Sequence, residues 1–154
     1  MADIATTWNA AAQRGDWSIA NGDLTTESGL ATAIYISLGT WHRADSSDAA
    51  PSEDPGGWWG DIPADGGPAD EWGCKFWLRR RAKLGRDIAN TLIADARQAL
   101  QWLIDDGVAA SLDITAFQQS PPLGTVLLNI TVNRAAGGVQ AFPQFAAAWE
   151  VTMQ

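Results

Sequence analysis

The sequence predicts an α+β domain: an N-terminal hairpin, then two to three helices packed on a small antiparallel three-stranded C-terminal sheet. Three observations carry that prediction. Asn21-Gly22 separates two short extended runs, apolar residues recur at steps of three and four from Ile88 to Leu103, and from Val108 onward they alternate. The chain has 154 residues, 46% hydrophobic and 18% charged, which suits one domain over 1–154 and excludes a wholly disordered chain.

In chain order, Asp16 to Ala20 and Leu24 to Thr26 flank Asn21-Gly22-Asp23, and Asn-Gly suits a two-residue turn with positive φ at both central positions. Gly29 to Leu38 fits two patterns. Leu30, Ile34 and Leu38 have helical spacing, while Ile34, Ile36 and Leu38 alternate as a strand would. Length and a cap position at Ser28 favour the helix. Gly39 to Gly73 is a long Gly-, Pro-, Asp- and Trp-rich loop without a sustained period, and it holds Trp41, Trp58, Trp59 and Trp72. Such a loop inside a domain is usually functional or ordered by a partner.

Phe76 to Lys83 reads as a short basic helix that Gly85 ends, with Asp87 as a cap for the next. Ile88, Leu92, Ala96, Ala99, Leu100 and Leu103 then mark one amphipathic helix, and Gly107 is a left-handed stop. Asp105 and Asp106 sit at its carboxyl end, where negative charge opposes the helix dipole. Val108 to Phe117, Thr125 to Arg134 and Phe142 to Met153 form a three-stranded meander, interrupted by Pro121-Pro122 and Gly137-Gly138. One face of that meander packs on the long helix. Trp17, Leu100 and Leu103 are expected in the core.

Two compositional values stand out: a formal net charge of −8, and nine tryptophans beside one tyrosine and four phenylalanines. The charge argues against nucleic-acid or anionic-membrane binding, which needs clustered cations. Trp-rich acidic surfaces suit protein partners better. The charge is also segregated. An acidic tract runs from Asp45 through Asp48, Glu53, Asp54, Asp61, Asp65 and Asp70 to Glu71, and Lys75, Arg79, Arg80, Arg81, Lys83 and Arg86 follow it. A single cysteine, no apolar leader and no apolar run of about 20 residues point to a chain folded in a reducing cytosol.

A catalytic constellation is hard to find. His42 is the one histidine, Cys74 the one cysteine, and no zinc or phosphate-loop motif is present, so neither metal nor cofactor is expected. Cys74 with His42 could form a thiol nucleophile and its base. Asp61 or Asp65 beside Trp58 and Trp59 could imitate a glycosidase cleft. Residue types alone do not define a reaction, and a non-enzymatic protein is expected. The glycine-framed Trp58-Trp59 pair either anchors in a partner's pocket or folds back on its own core.

Several segments in order carry a resemblance. Gly29 to Ile34, Ile36 to Leu38, Gly57-Trp58-Trp59-Gly60-Asp61, Gly73 with Lys75, Trp77-Leu78, Arg81 and Lys83, and Ala99 to Ala109 occur at characteristic spacing. From about Asp16 to about Arg134 the chain resembles the small baseplate proteins of Mu-like contractile-tailed phages, a family similar to the sheath-initiator wedge subunit of T-even phages. Asp54-Pro55-Gly56, Cys74 and Arg79 depart from the family's usual residues.

The resemblance implies a structural subunit of a phage, prophage or tailocin baseplate, located in the virion tail and made in the bacterial host cytoplasm. It implies partners in the large wedge subunit, the spike-hub protein, the tube end and the tail sheath, with several copies around a six-fold axis. Trp58, Trp59 and Asp61 are then expected as loop contacts, and Lys75, Arg79, Arg81 and Lys83 as an electrostatic docking face. Trp102 with Asp105 and Asp106 would position the helix end. The alternatives are a tail-associated cell-wall-degrading enzyme and a carbohydrate-binding module that uses exposed tryptophans.

Overall fold

In the computed structural model, which describes residues 3–9, 14–27, 30–48, 54–61, 71–80, 86–119, 125–134 and 139–145, Asn21 and Gly22 have φ of +54° and +84°. They join β4 (Ile19–Ala20) to β5 (Asp23–Leu24), the turn that Asn-Gly predicts. The N-terminal region holds more than this hairpin. Strand β1 (Asp3–Ile4) pairs antiparallel with β6 (Thr26–Glu27), and β2 (Thr6–Asn9) pairs with β3 (Arg14–Trp17).

Each extended run therefore divides its length between two neighbours, and the three ladders close a ring. At the junction, Ala5 N–H donates to the Thr25 carbonyl at 2.7 Å and Thr25 N–H to the Ser18 carbonyl at 2.9 Å. Thr32, buried on the following helix, ties this unit down: its Oγ1 accepts from Thr6 N–H and donates to the Ile4 carbonyl.

That helix, α1 (Leu30–Gly39), settles the ambiguous segment. Leu30, Ile34 and Leu38 are buried, whereas Ile36 is 49% exposed. A strand would put Ile34 and Ile36 on one face; a helix separates them. The Ser28 cap position lies outside the described residues. Trp17 corrects another expectation, for it is 65% exposed and not in the core. Strand β2 packs on α1, and Trp17 stands across the ladder from it, opposite Thr6.

The basic segment forms a 3₁₀ turn over Lys75–Arg79 in place of a longer helix, and residues 81–85 lie outside the described set. Helix α2 (Arg86–Ala99) begins one residue before Asp87, so Asp87 stands in the first turn, where its charge complements the dipole, and not at the cap. The expected single helix is interrupted at Leu100-Gln101, and α3 (Trp102–Asp105) follows. There the bonds tighten to i→i−3: Gln101 N–H to Gln98 O, and Leu103 N–H to Leu100 O. This tighter winding eclipses residues three apart, and it turns both Leu100 and Leu103 fully inward. Gly107, at φ +71°, ends the run as expected.

Strands β7 (Ala109–Gln119), β8 (Thr125–Arg134) and β9 (Val139–Phe145) form the antiparallel sheet in the order β7-β8-β9. Leu112 faces Val132, Ile114 faces Ile130 and Ala116 faces Leu128, so the alternating residues meet on one face, which α2 and α3 cover. The register shifts between Ala109 and Ser111. The extra residue flips the alternation, so Ala109 is buried while Val108 and Ala110, expected on the apolar face, are exposed. The last strand is described over Val139–Phe145, so it includes residues ahead of the expected start at Phe142. Pro121-Pro122, Gly137-Gly138 and residues 146–154 lie outside the described residues.

The helical reading of α1 is testable by urea unfolding. Ile34→Ala is expected to cost about 3 kcal/mol, through lost burial and the cavity left behind. Ile36→Ala should stay within about 0.5 kcal/mol. Equal losses at the two positions would mean an alternating strand.

Candidate protein-interaction site

The long loop is stitched shut at its base. Cys74 N–H donates to Thr40 O at 2.9 Å, His42 N–H donates to Cys74 O at 3.1 Å, and Trp41 and Cys74 form a parallel bridge. Gly73 makes this closure possible. Its φ is +107°, and a Cβ there would lie 2.7 Å from the Thr40 carbonyl oxygen.

Trp77 supports the loop from below. Its ring stacks on Trp41 with centroids 5.1 Å apart and an interplanar angle of 12°. Its Nε1–H donates to His42 O at 2.8 Å. Gly56, at φ +65°, lies against the same indole so closely that a Cβ would come within 2.9 Å of it. A second stack, Trp72 on Trp102 at 6.0 Å, joins the end of the loop to α3. Trp102 Nε1–H donates to Ser37 Oγ at 3.1 Å, and Ser37 in turn donates to Ala33 O within α1. Trp102 is thus half-buried and joins loop, α3 and α1.

The Trp58-Trp59 pair divides its work. Trp58 lies over Gly60, whose absent side chain leaves room for the ring, and is 44% exposed. Trp59 opens a short 3₁₀ turn (Trp59–Asp61) and is 83% exposed, with the two ring centroids 5.5 Å apart. Asp61 is buried. Its N–H donates to Trp58 O at 3.0 Å and its Oδ1 accepts from Trp72 N–H at 3.3 Å, so it orders the loop from within instead of presenting a carboxylate to solvent.

The expected electrostatic docking face is not what Lys75 and Arg79 form. Lys75 is buried, and its ammonium bonds to Asp45 and to Asp48, the latter at 2.9 Å. Arg79 makes a two-point contact with Asp95 of α2, at 2.9 Å from Nε and 3.2 Å from Nη2. The physical reason is that an acidic tract beside a basic segment neutralises itself at short range before either can reach outward. Arg81 and Lys83 lie outside the described residues. Asp105, the last residue of α3, and Asp106, its cap, are exposed, and Asp105 accepts from Gln101 Nε2 at 3.0 Å.

Burial works against the Lys75 charge, but the two carboxylates outweigh it and hold its pKa above the ordinary lysine value. Burial likewise raises Asp48, but the bond to Lys75, the bond from Asp45 N–H and the charges of Lys75 and Arg79 together outweigh it, and the net shift is downward. For Arg79 the hydrogen bonds to Asp95 dominate and raise the pKa. Burial pushes the Cys74 thiol up to about 12. It therefore stays protonated near neutrality, which removes the thiol-nucleophile reading. Among the described residues no group of three His, Cys, Asp or Glu is placed to hold a metal, and no helix is long and apolar enough to cross a membrane.

Two outcomes follow. Asp48, whose folded pKa is depressed, contributes stability above its unfolded pKa and loses it as pH falls through the folded one. Lys75, whose folded pKa is raised, contributes below its unfolded pKa and loses it as pH rises through the folded one. The pair's contribution should be flat between about pH 4 and about pH 10.5 and decline outside that window. Lys75→Ala should cost about 1–2 kcal/mol on the plateau, since it removes the partner of a partly buried Asp48 that keeps its bond from Asp45 N–H. Urea midpoints against pH for wild type, Lys75→Ala and Asp48→Asn would check this. Cys74 should resist a thiol reagent in the native protein and react once in denaturant; fast native labelling would contradict its burial.

Comparison with known proteins places the chain in a family. A family model described as phage protein GP46 matches residues 30–139, from the start of α1 through the loop, α2, α3, β7 and β8. The Mu-like prophage FluMu protein gp46 of Haemophilus influenzae is 36% identical over 151 residues, covering 98% of this chain and 100% of that protein. The baseplate protein gp46 of Escherichia phage Mu is 33% identical over 151 residues, covering 97% of this chain and 98% of that protein. On this evidence the chain belongs to the phage protein GP46 family.

Proposed function

We propose that this chain is a structural, non-enzymatic subunit of a phage, prophage or tailocin contractile-tail baseplate. The observation that carries the reading is the end-to-end similarity to the protein of phage Mu whose name is baseplate protein gp46. In this reading the subunit links the large wedge protein to the spike-hub and tube end, and starts the sheath. It is present in several copies about the six-fold axis and is assembled in the bacterial host cytoplasm.

The geometry supports each part differently. Trp59 and the open half of Trp58 are the loop's contacts, with Asp61 shaping the turn that presents them. Lys75 and Arg79 act indirectly, by holding the loop and the 3₁₀ turn in place. Arg81 and Lys83 lie outside the described residues and are proposed as cationic contacts on the sequence resemblance alone, while the exposed Asp105 and Asp106 supply the acidic ones. Strands β7 and β9 each have no strand on their outer side among the described residues. Such sheet edges suit strand addition by a sheath segment.

The test is tail assembly with the Trp58→Ala/Trp59→Ala chain. Baseplates should fail to complete, as seen by electron microscopy, while circular dichroism and Tm stay close to wild type. Complete, sheathed tails from the double variant would remove the loop from the interface. Robust cell-wall hydrolysis by the wild-type chain, lost with a single carboxylate, would replace the structural reading with an enzymatic one.

A further inference from the structure

Arg43 stands out among the cations of the loop region. Lys75 is occupied by Asp45 and Asp48, and Arg79 by Asp95. Arg43 is exposed, and among the described residues its guanidinium has no hydrogen bond or ion pair. The nearest acid along the chain, Asp45, is the one Lys75 holds.

Its backbone lies beside segments that carry tryptophans. Ala44 N–H donates to Pro55 O at 2.8 Å, which lays residues 43–44 beside residues 55–57. Gly57, at φ +101°, sits so close that a Cβ would be 3.1 Å from Arg43 Cβ. Arg43 therefore neighbours the residue before Trp58 across the loop, and lies two residues from Trp41 along the chain. Trp41 is 50% exposed although one side of its ring is stacked on Trp77, and Trp58 and Trp59 are also open to solvent.

We infer that Arg43, with Trp41, Trp58 and Trp59, is a seat for a carboxylate-bearing, otherwise apolar peptide segment of a neighbouring baseplate protein; this rests on the baseplate reading above. Guanidinium is weakly hydrated, tolerates aromatic neighbours and binds a carboxylate through two parallel bonds. Tryptophan and arginine are also the side chains on which binding energy concentrates at protein interfaces. A single cation in a chain of net charge −8 does not suit a polyanion. A glycan is held mainly by rows of hydrogen-bonding side chains beside the rings, and the charged groups described near these rings are Arg43 and the exposed Asp54. A carboxylate with apolar flanks satisfies both halves of the seat.

Overlapping synthetic peptides tiling the hub and wedge proteins encoded with this chain, titrated into the full-length protein by tryptophan fluorescence, supply the test. Peptides that bind should carry Asp or Glu beside apolar residues. Arg43→Gln should weaken them about tenfold or more, and Arg43→Lys should recover only part of that. Replacing the peptide's own carboxylate by its amide should weaken binding by a similar factor, and the two changes should not add, as expected of interacting groups.

Four results would overturn the seat: no peptide binding, binding indifferent to Arg43→Gln, a preference for peptides without acids, or a saturating cell-wall oligosaccharide that binds equally to wild type and Arg43→Gln. A Tm drop of about 4 °C or more in Arg43→Gln would also overturn it, by showing the guanidinium is paired inside the chain. Purified tails separate the two levels. Wild-type chain present and Arg43→Gln tails normal would remove the seat but leave the baseplate reading; wild-type chain missing from tails would remove both.

Discussion

Trp77 meets the loop at three places: the face of Trp41, the backbone carbonyl of His42 and the bare Cα of Gly56. These contacts lie on two separate stretches of chain, residues 41–42 and residue 56. One buried indole thereby fixes both arms of a loop that has little regular structure of its own. A long loop has large conformational entropy to lose, and a large aromatic surface with one satisfied N–H offsets much of it locally. Arg43, Trp58 and Trp59 are positioned by this arrangement, because each follows closely on a residue that Trp77 or its neighbours hold. Replacing Gly56 by any larger residue would press on the same ring and disturb both arms together.

The electrostatics follow the same internal logic. A chain with 18 acidic and 10 basic residues has few cations to spare, and Lys75 and Arg79 are used to fasten parts of the fold to each other. Lys75 draws the Asp45–Asp48 bend onto the base of the loop. Arg79 clamps the 3₁₀ turn to α2. Partly buried pairs of this kind keep their strength because water and salt screen them less than pairs at the surface. What remains outside is mostly acidic, including Asp105 and Asp106, and the net charge opposes association of copies in solution.

The regular elements were legible where one periodicity dominated. Asn21-Gly22 announced its turn, the steps from Ile88 announced α2, and Val126 to Val132 announced β8. Where local pattern left a choice or misled, longer-range geometry decided. Leu30 to Leu38 fitted two periods until the exposure of Ile36 separated them. Val108 and Ala110 kept the alternation of a strand, but the bulge at Ala109–Ser111 shifted the faces. The N-terminal ring of ladders had no such signature, because pairs of two to four residues carry too little pattern to be read. For the site, the tryptophan content of the loop was visible and its division of labour was not. Exposure of Trp59 and burial of Asp61, two residues apart, depend on a 3₁₀ turn and on Gly60 lying beneath Trp58. The neighbouring acidic and basic segments were equally visible, but whether they pair within the chain or across an interface depends on a fold that closes 45 on 75.

These features together bear on how a free subunit tolerates its own surface. Trp17, Ile19, Trp41 and Trp59 are all at least half exposed, an apolar load that usually marks surfaces meant to be covered. Two properties work against indiscriminate sticking. The exposed indoles of the loop sit on backbone pinned by Trp77, so they do not splay to match any apolar surface they meet. The acidic excess also repels further copies, whose surfaces carry the same sign. A partner that brings a complementary shape overcomes the first barrier, and one that places a single carboxylate at Arg43 within an otherwise apolar segment avoids most of the second. Specificity on this view comes as much from what the acidic surface rejects as from what the indoles attract.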